Sequence, residues 1–135
     1  MSALTSYCPS CWIETEPEDR ACPSCGFRMA AFDALGYEGK LLLALKHPIP
    51  EKRMLAIEIL GEIRCRTAVP VFATIVEDEE DPYALRAIAQ ALARIGGDAS
   101  RMILARLNRH RWVIVHQAAA EALRATTGGD PKGQQ

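Results

Sequence analysis

The sequence lacks several features that would assign it quickly to a functional class. Its 135 residues carry a net charge of only −1, so no overall attraction to nucleic acid or to anionic membranes is expected. The longest apolar stretch, residues 41–45, is far shorter than a bilayer crossing requires. The N-terminal residues have neither a basic stretch nor an apolar run. No signal peptide is therefore expected, and the sequence predicts a cytoplasmic location.

A recognisable catalytic arrangement is also lacking. The three histidines, His47, His110 and His116, are not combined in sequence with a nucleophile or with paired carboxylates. General acid–base or nucleophilic catalysis needs such groups within hydrogen-bond reach of one another. The sequence therefore predicts a non-enzymatic protein with no evident small-molecule substrate, and the histidines are interpreted as solvated loop residues.

Cysteine is the residue type whose spacing carries a definite chemistry. Four of the five cysteines form two C-x-x-C pairs separated by ten residues, Cys8 with Cys11 and Cys22 with Cys25. Four thiolates in two such pairs can close a tetrahedral site around one zinc ion. In a reducing compartment, clustered cysteines hold metal more often than they form disulfides. A thioredoxin-like redox motif is the alternative, but the βαβ pattern that surrounds such a motif is missing.

The cysteine segment resembles zinc-ribbon knuckles of the C-P-x-C-G type. Gly26 follows the second pair, whereas Trp12 stands in place of glycine after the first. Full thiolate ligation leaves no open position for a substrate, so one structural Zn²⁺ per chain is predicted. Residues 1–31 contain few aliphatic side chains, and zinc ligation is expected to supply their folding energy. The fifth cysteine, Cys65, is interpreted as a semi-exposed loop residue without a role.

Residues 32–127 repeat themselves. Leu60, Leu92 and Leu123 occupy equivalent positions at steps of 32 and 31 residues, a period typical of a solenoid. Two copies carry an apolar stripe at helical spacing, formed by Ala84, Ala87, Ile88, Ala91, Leu92 and Ile95, and by Val115, Ala118, Ala119, Ala122, Leu123 and Thr126. Shorter helices are predicted between the copies, over about 67–76 and 98–109, and a partial first partner is predicted over about 38–45. The sequence predicts an all-α protein, an α-solenoid of about three helical hairpins, with residues 128–135 as a flexible tail.

The repeated region, roughly residues 38–127, resembles HEAT-like repeats of the short variety found in phycobilisome-lyase-type HEAT proteins. The resemblance rests on Ile59-Leu60-Gly61-Glu62-Ile63, on Ala91-Leu92-Ala93-Arg94-Ile95-Gly96 and on Glu121-Ala122-Leu123. It implies a scaffold that presents polar residues of the second helices on a concave groove. The residues so implied are Glu58, Glu62, Arg86, Gln90, Arg94, Gln117, Glu121 and Arg124. A merely solvated helix face is the alternative interpretation.

The last repeat suggests a second binding surface. Trp112 and Ile114 lie beside Val115 of the buried stripe, and these neighbours cannot all face inward on a helix. Together with Arg109 and Arg111 they form a cluster of the residue types favoured at binding hot spots. The sequence thus predicts a non-enzymatic adaptor for a protein partner or multisubunit complex. The alternative is a nucleic-acid-associated zinc protein, because residues 99–120 contain arginines and no acidic residue.

Overall fold

The structure is a computed structural model that describes residues 6–127. Within these residues it contains two short strands and seven helices. The strands are β1 (Ser6–Tyr7) and β2 (Glu14–Thr15), and the helices are α1 (Met29–Ala34), α2 (Tyr37–Ala44), α3 (Pro50–Glu62), α4 (Ala68–Asp78), α5 (Pro82–Ile95), α6 (Asp98–Leu107) and α7 (Val113–Thr127). The expected all-α fold with a small N-terminal module is confirmed. The predicted tail, residues 128–135, lies outside the described residues.

The chain divides into two compact units, and the boundary between Ala56 and Ile57 falls inside α3. The first unit contains the four clustered cysteines, the two strands and the helices α1 and α2. The second contains the end of α3 and the helices α4 to α7. In chain order the helices α2 and α3, α4 and α5, and α6 and α7 match the three successive pairs expected from the repeat.

The first unit repeats a short backbone motif with an offset of 14 residues. Tyr7 pairs with Glu14 in the antiparallel β1–β2 ladder, and Ala21 forms an isolated antiparallel bridge with Arg28. Each C-x-x-C pair lies between the two pairing positions of one motif. The backbone therefore brings both pairs of thiols into similar turns. The following helix α1 was not predicted, because its six residues are too few to show a helical period.

In the second unit α5 is the central helix, in contact with α4, α6 and α7. All six residues of its predicted stripe are buried. Leu85 and Ala89 are also fully buried, because neighbours cover more than one side of this helix. In α7 four stripe residues are buried and Leu123 is half-buried. The side chain of Thr126, the last predicted member, lies outside the described part of the chain.

Both ends of α5 carry local signals for a helix boundary. Asp81 precedes Pro82, and its carboxylate accepts a 2.9 Å hydrogen bond from the backbone N–H of Tyr83. This bond satisfies one of the N–H groups that a helix start leaves unpaired, and Pro82 removes another. At the other end Gly96 and Gly97 have φ values of +75° and +95°, which glycine adopts without steric cost. These two residues connect α5 to α6.

The end of α3 approaches α5 very closely. A Cβ atom added at Gly61 would lie 2.8 Å from both the Cα and the Cβ of Ala91. Real Cβ atoms do not come so near to a backbone atom, so only glycine fits here. Next to it Cys65, interpreted from sequence as semi-exposed, is instead buried, and its Sγ lies 3.1 Å from the hydroxyl of Thr67.

The turns before α3, α5 and α7 share one hydrogen bond. Each turn has a side-chain acceptor at an equivalent repeat position, His47, Glu79 or His110, and that acceptor receives the backbone N–H two residues later. The donor–acceptor distances are 3.0, 3.0 and 3.1 Å. The interpretation of the histidines as solvated loop residues is therefore corrected, because His47 and His110 are half-buried acceptors that shape the turns.

A second bond closes two of these turns. The guanidinium of Arg53 donates to the carbonyl of His47 at 2.7 Å, and Nδ1 of His116 donates to the carbonyl of His110 at 3.1 Å. Arg53 and His116 occupy the same position in the first and third repeats. The buried Leu85 stands there in the second repeat, where the bond is absent from the described contacts. The first and third turns thus make the same two hydrogen bonds, although their sequences differ.

Candidate metal centre and binding surfaces

The four predicted zinc ligands come together in the first unit. The thiol sulfurs of Cys8, Cys11, Cys22 and Cys25 all lie within 4.8 Å of one another. The Cys8–Cys25 and the Cys11–Cys22 sulfur distances are each 3.7 Å. A tetrahedral zinc site with bonds of about 2.3 Å has sulfur–sulfur edges of about 3.8 Å. The donor set and its spacing therefore fit one tetrahedrally ligated metal ion.

The first sulfur of each pair accepts two backbone N–H groups from its own turn. Cys8 Sγ accepts from the N–H of Ser10 at 3.3 Å and from that of Cys11 at 3.5 Å. Cys22 Sγ accepts from Ser24 at 3.3 Å and from Cys25 at 3.4 Å. These bonds favour the charged thiolate over the neutral thiol. Both acceptor sulfurs belong to buried residues, whereas Cys11 and Cys25 are exposed.

The thiols differ in their acidity. The backbone N–H of Cys25, helped by that of Ser24, lowers the pKa of Cys22 to about 7. A backbone hydrogen bond from Ile13 acts in the same direction on Cys11, but desolvation and the other three thiols raise the pKa of Cys11 to about 12. Four adjacent thiols do not all ionise in the absence of a cation, since each new thiolate repels the others. A bound metal ion would supply the positive charge that four thiolates need.

Trp12 and Gly26 occupy the same position in the two cysteine motifs. Their φ values are +65° and +81°, and each N–H donates to the carbonyl of the first cysteine of its pair. Glycine is the usual residue in this left-handed conformation. The indole of Trp12 packs against the imidazole of His47, with ring centroids 4.6 Å apart. The aromatic contact accompanies a backbone conformation that is unfavourable for tryptophan.

Five of the predicted groove residues lie together on one face of the second unit. Glu58, Glu62, Gln90 and Arg94 line a hollow of about 170 Å³ between α3 and α5. Gln90, Arg94 and Glu121 line a second hollow of about 390 Å³ between α5 and α7. We call these five residues the polar face. Gln90 and Arg94 border both hollows, so the polar face is continuous across three successive repeats.

The other three predicted groove residues line neither hollow. Arg86 is exposed, and its guanidinium lies 5.4 Å from the ring centroid of Tyr83. Gln117 and Arg124 are also exposed. The structure therefore brings five of the eight residues together and places the remaining three on the surface around them.

Three of the four residues of the C-terminal cluster, Arg109, Arg111 and Trp112, are exposed. Trp112 retains 41% of its accessible surface and Val113 retains 55%, whereas Ile114 is half-buried. The guanidinium of Arg111 lies 5.2 Å from the Trp112 ring centroid, and Arg109 is exposed. Arginine stacked on an exposed tryptophan is a combination found at binding hot spots.

Two of the arginines in the acid-free stretch have acidic neighbours from other parts of the sequence. Arg101 forms a 2.8 Å salt bridge with Asp98, and Arg106 lies 4.0 Å from Glu77. Glu77 is the first of five consecutive acidic residues, 77–81, so one arginine of the basic stretch lies beside that run. None of the helices in residues 6–127 combines the length and the apolar character that a bilayer crossing needs.

Comparison with known proteins identifies the repeated region. The family model for HEAT repeats matches residues 38–124, which is well over half of the chain. No match was found among curated proteins or among solved structures. The helical hairpins, their period of 31 to 32 residues and the family match agree with one another. The chain belongs to the HEAT-repeat family.

Proposed function

We propose that the chain is a non-enzymatic adaptor, which binds a protein partner or a larger complex through its helical-repeat surface and carries one structural zinc ion. HEAT repeats are commonly protein-interaction scaffolds. The observation that carries the proposal is the polar face, where residues from three successive repeats border connected hollows. Repeat proteins bind through such extended surfaces, because successive repeats place equivalent residues side by side.

The polar face suits a partner with mixed charge. It offers three carboxylates, from Glu58, Glu62 and Glu121, beside the guanidinium of Arg94 and the amide of Gln90. All five residues are exposed, and no salt bridge between them occurs in the described residues. Their hydrogen-bonding groups therefore remain available to a partner. The exposed cluster of Trp112 and its arginine neighbours is the second proposed surface.

Binding to the native partner tests this proposal. The tagged full chain and two variants, Arg94→Glu and Trp112→Ala, are used for affinity purification from the native host, followed by mass spectrometry. Loss of a co-purifying protein with Arg94→Glu, at an unchanged melting temperature, supports the polar face. If Trp112→Ala instead weakens the binding free energy of that complex by about 2 kcal/mol or more, the result supports the C-terminal surface. The adaptor proposal fails if no protein co-purifies with the wild-type chain.

The proposed metal is zinc, held by Cys8, Cys11, Cys22 and Cys25 in a module of residues 1–31, followed by repeats over 32–127. Its role is structural, because four protein ligands fill a tetrahedral site and leave no position for a substrate. Metal analysis of the purified protein should give one zinc ion per chain. A serine in place of Cys22 should abolish stoichiometric binding, whereas Cys65→Ser should leave it unchanged. Retained zinc in Cys22→Ser would contradict the assignment.

A role in binding nucleic acid receives less support. Asp98 and Glu77 lie beside two of the arginines on which that alternative depends. Phosphate binding to these arginines would compete with the carboxylates. Nucleic-acid binding of this type should weaken steeply with added salt, so a salt titration with random-sequence nucleic acid distinguishes the two functions.

A further inference from the structure

An apolar groove lies between α4 and α6, away from the five residues of the polar face. Its volume is about 630 Å³, larger than either polar hollow. We call it the α4–α6 groove. Its walls are formed by Arg66, Val69, Pro70, Ala73, Ile95, Gly96, Gly97, Asp98, Ala99, Met102, Ile103 and Arg106. A volume of this size is within the range of pockets that enclose ligand groups.

The groove exists because α4 and α6 pack against each other less extensively than α5 and α7 do. Alanines of α5 and α7 allow these helices to pack against each other along much of their length. By contrast α4 and α6 contact each other over only a short stretch. Some apolar residues of the groove lining, Pro70, Ala73 and Met102, are therefore incompletely covered, whereas Val69 and Ile103 are buried. Met102, in the wall of the groove, retains 71% of its accessible surface.

Charge at the groove favours one chemical class of occupant. Two cationic residues, Arg66 and Arg106, line it together with a single acidic residue, Asp98. Asp98 is already engaged by Arg101 at 2.8 Å. Arg106 shares a 4.0 Å pair with Glu77, whose carboxylate an acidic occupant would displace, whereas Arg66 has no salt bridge within residues 6–127. A ligand with carboxylates next to apolar side chains would complement this lining of apolar residues and two arginines.

We propose that the α4–α6 groove docks a short segment of a partner protein that carries apolar side chains flanked by aspartate or glutamate. The apolar side chains pack on Met102, Pro70 and Ala73, which keep accessible surface, and the acidic ones pair with Arg66 and Arg106. Methionine suits such a surface, because its flexible thioether adapts to different apolar partners. The choice of a protein as occupant rests on the proposed adaptor function; the location and the charge preference rest on the groove itself.

Selection from a displayed library of random 16-residue peptides on the zinc-loaded full chain tests this inference. Selected peptides should be enriched in apolar residues flanked by Asp or Glu. Their affinity should fall at least tenfold for Met102→Glu and for Arg66→Glu, and little for Ala105→Glu. Ala105 is an exposed residue of α6 outside the groove, so its variant adds the same charge to the same helix. Circular dichroism should show the same melting temperature for the three variants.

Four results would overturn the inference. Two concern peptides: no peptide is selected, or Ala105→Glu weakens peptide binding as much as Met102→Glu does. The other two concern a different occupant. Either oleate binds instead of peptides and Met102→Glu abolishes that binding, or the chain forms a dimer that Met102→Glu dissociates. Capture of the native partner separates this inference from the adaptor proposal. A partner retained by Met102→Glu but lost with Arg94→Glu leaves the adaptor function standing and removes the groove from it.

Discussion

Trp12 lies in a backbone conformation that favours glycine, and Gly26 shows the same position filled by the usual residue. The left-handed region costs a residue with a side chain about 1–2 kcal/mol. In the wild-type chain the indole packs on the imidazole of His47. Both Trp12→Gly and Trp12→Ala remove the ring, but only the glycine variant also removes the backbone strain.

We therefore expect zinc-loaded Trp12→Gly to be more stable than Trp12→Ala by about 1 kcal/mol, after allowance for the greater freedom of glycine in the unfolded chain. Thermal melting of the two variants side by side measures the difference. Equal melting temperatures would mean that the left-handed conformation at this position carries no strain.

Gly61 is required for a different reason, the close approach of two helices. Gly61→Ala would place a methyl group 2.8 Å from the backbone of Ala91. Alanine improves helix propensity by about 1 kcal/mol, but displacement of a packed helix costs about 1–3 kcal/mol. We expect a net loss of stability in urea unfolding.

Gly39→Ala is the matched control for this substitution. It is also a helical glycine, but an added Cβ would meet only the flexible side chain of Leu35, at 3.2 Å. Its stability should change little or rise. If both variants unfold at the same urea concentration, the close packing of α3 on α5 does not determine the residue at position 61.

The turn before α7 shows how a repeated element can depend on a titratable side chain. His110 Nδ1 accepts the N–H of Trp112 only while that nitrogen is unprotonated. Desolvation, with smaller effects from Arg111 and His116, lowers the pKa of His110 below the ordinary value of 6.5. Because the folded-state pKa is the lower one, the stabilisation is complete above pH 6.5. It is lost as the pH falls through the folded-state pKa.

His110→Asn should remove this pH dependence and keep the turn. Asparagine accepts the N–H two residues later in the same way but does not titrate. We expect similar melting temperatures for variant and wild type at pH 7.5. At pH 5.5 the variant should be more stable, by up to about 1 kcal/mol, the contribution of one hydrogen bond. A parallel decline of both proteins between these pH values would show that His110 does not limit acid stability.

The elements differ in how far the sequence could predict them. The helix α5 carries an uninterrupted apolar stripe, an acidic cap with proline and two closing glycines, and each signal indicates the same boundaries. The side-chain acceptors of the turns were missed, because the second repeat has Glu79 where the others have histidine. Only an alignment of all three turns by geometry shows that two residue types make the same bond.

At the scale of the whole chain, the metal site and the repeats have different sources of stability. The second unit buries the stripes of α5 and α7 without any metal ligand. The cysteine motifs contain only short β pairings, and we expect the proposed ion to supply their folding energy. Chelation should therefore unfold the N-terminal segment and leave most of the helical circular dichroism signal intact. Collapse of the helical signal on addition of a chelator would contradict this expectation.

The ligand set of the candidate metal centre could be predicted, because two C-x-x-C pairs have the spacing typical of a four-thiolate metal site. The polar face could be predicted in part, since the repeat register identifies equivalent residues on successive helices. The α4–α6 groove could not. It arises from the divergence of two helices, and no single sequence motif determines how far two packed helices separate.

The amide protons of α5 should be the last in the helical unit to exchange with solvent. Neighbours cover this helix on more than one side, and it has defined caps at both ends. In a linear stack each helix is held by its neighbours, so opening begins at the ends and proceeds towards the centre. The polar face would then lose its outer members first, while Gln90 and Arg94 would keep their positions longest. Exchange of the α5 amides therefore reports the opening of the whole polar face, whereas exchange in α3 and α7 reports the earlier loss of its outer members.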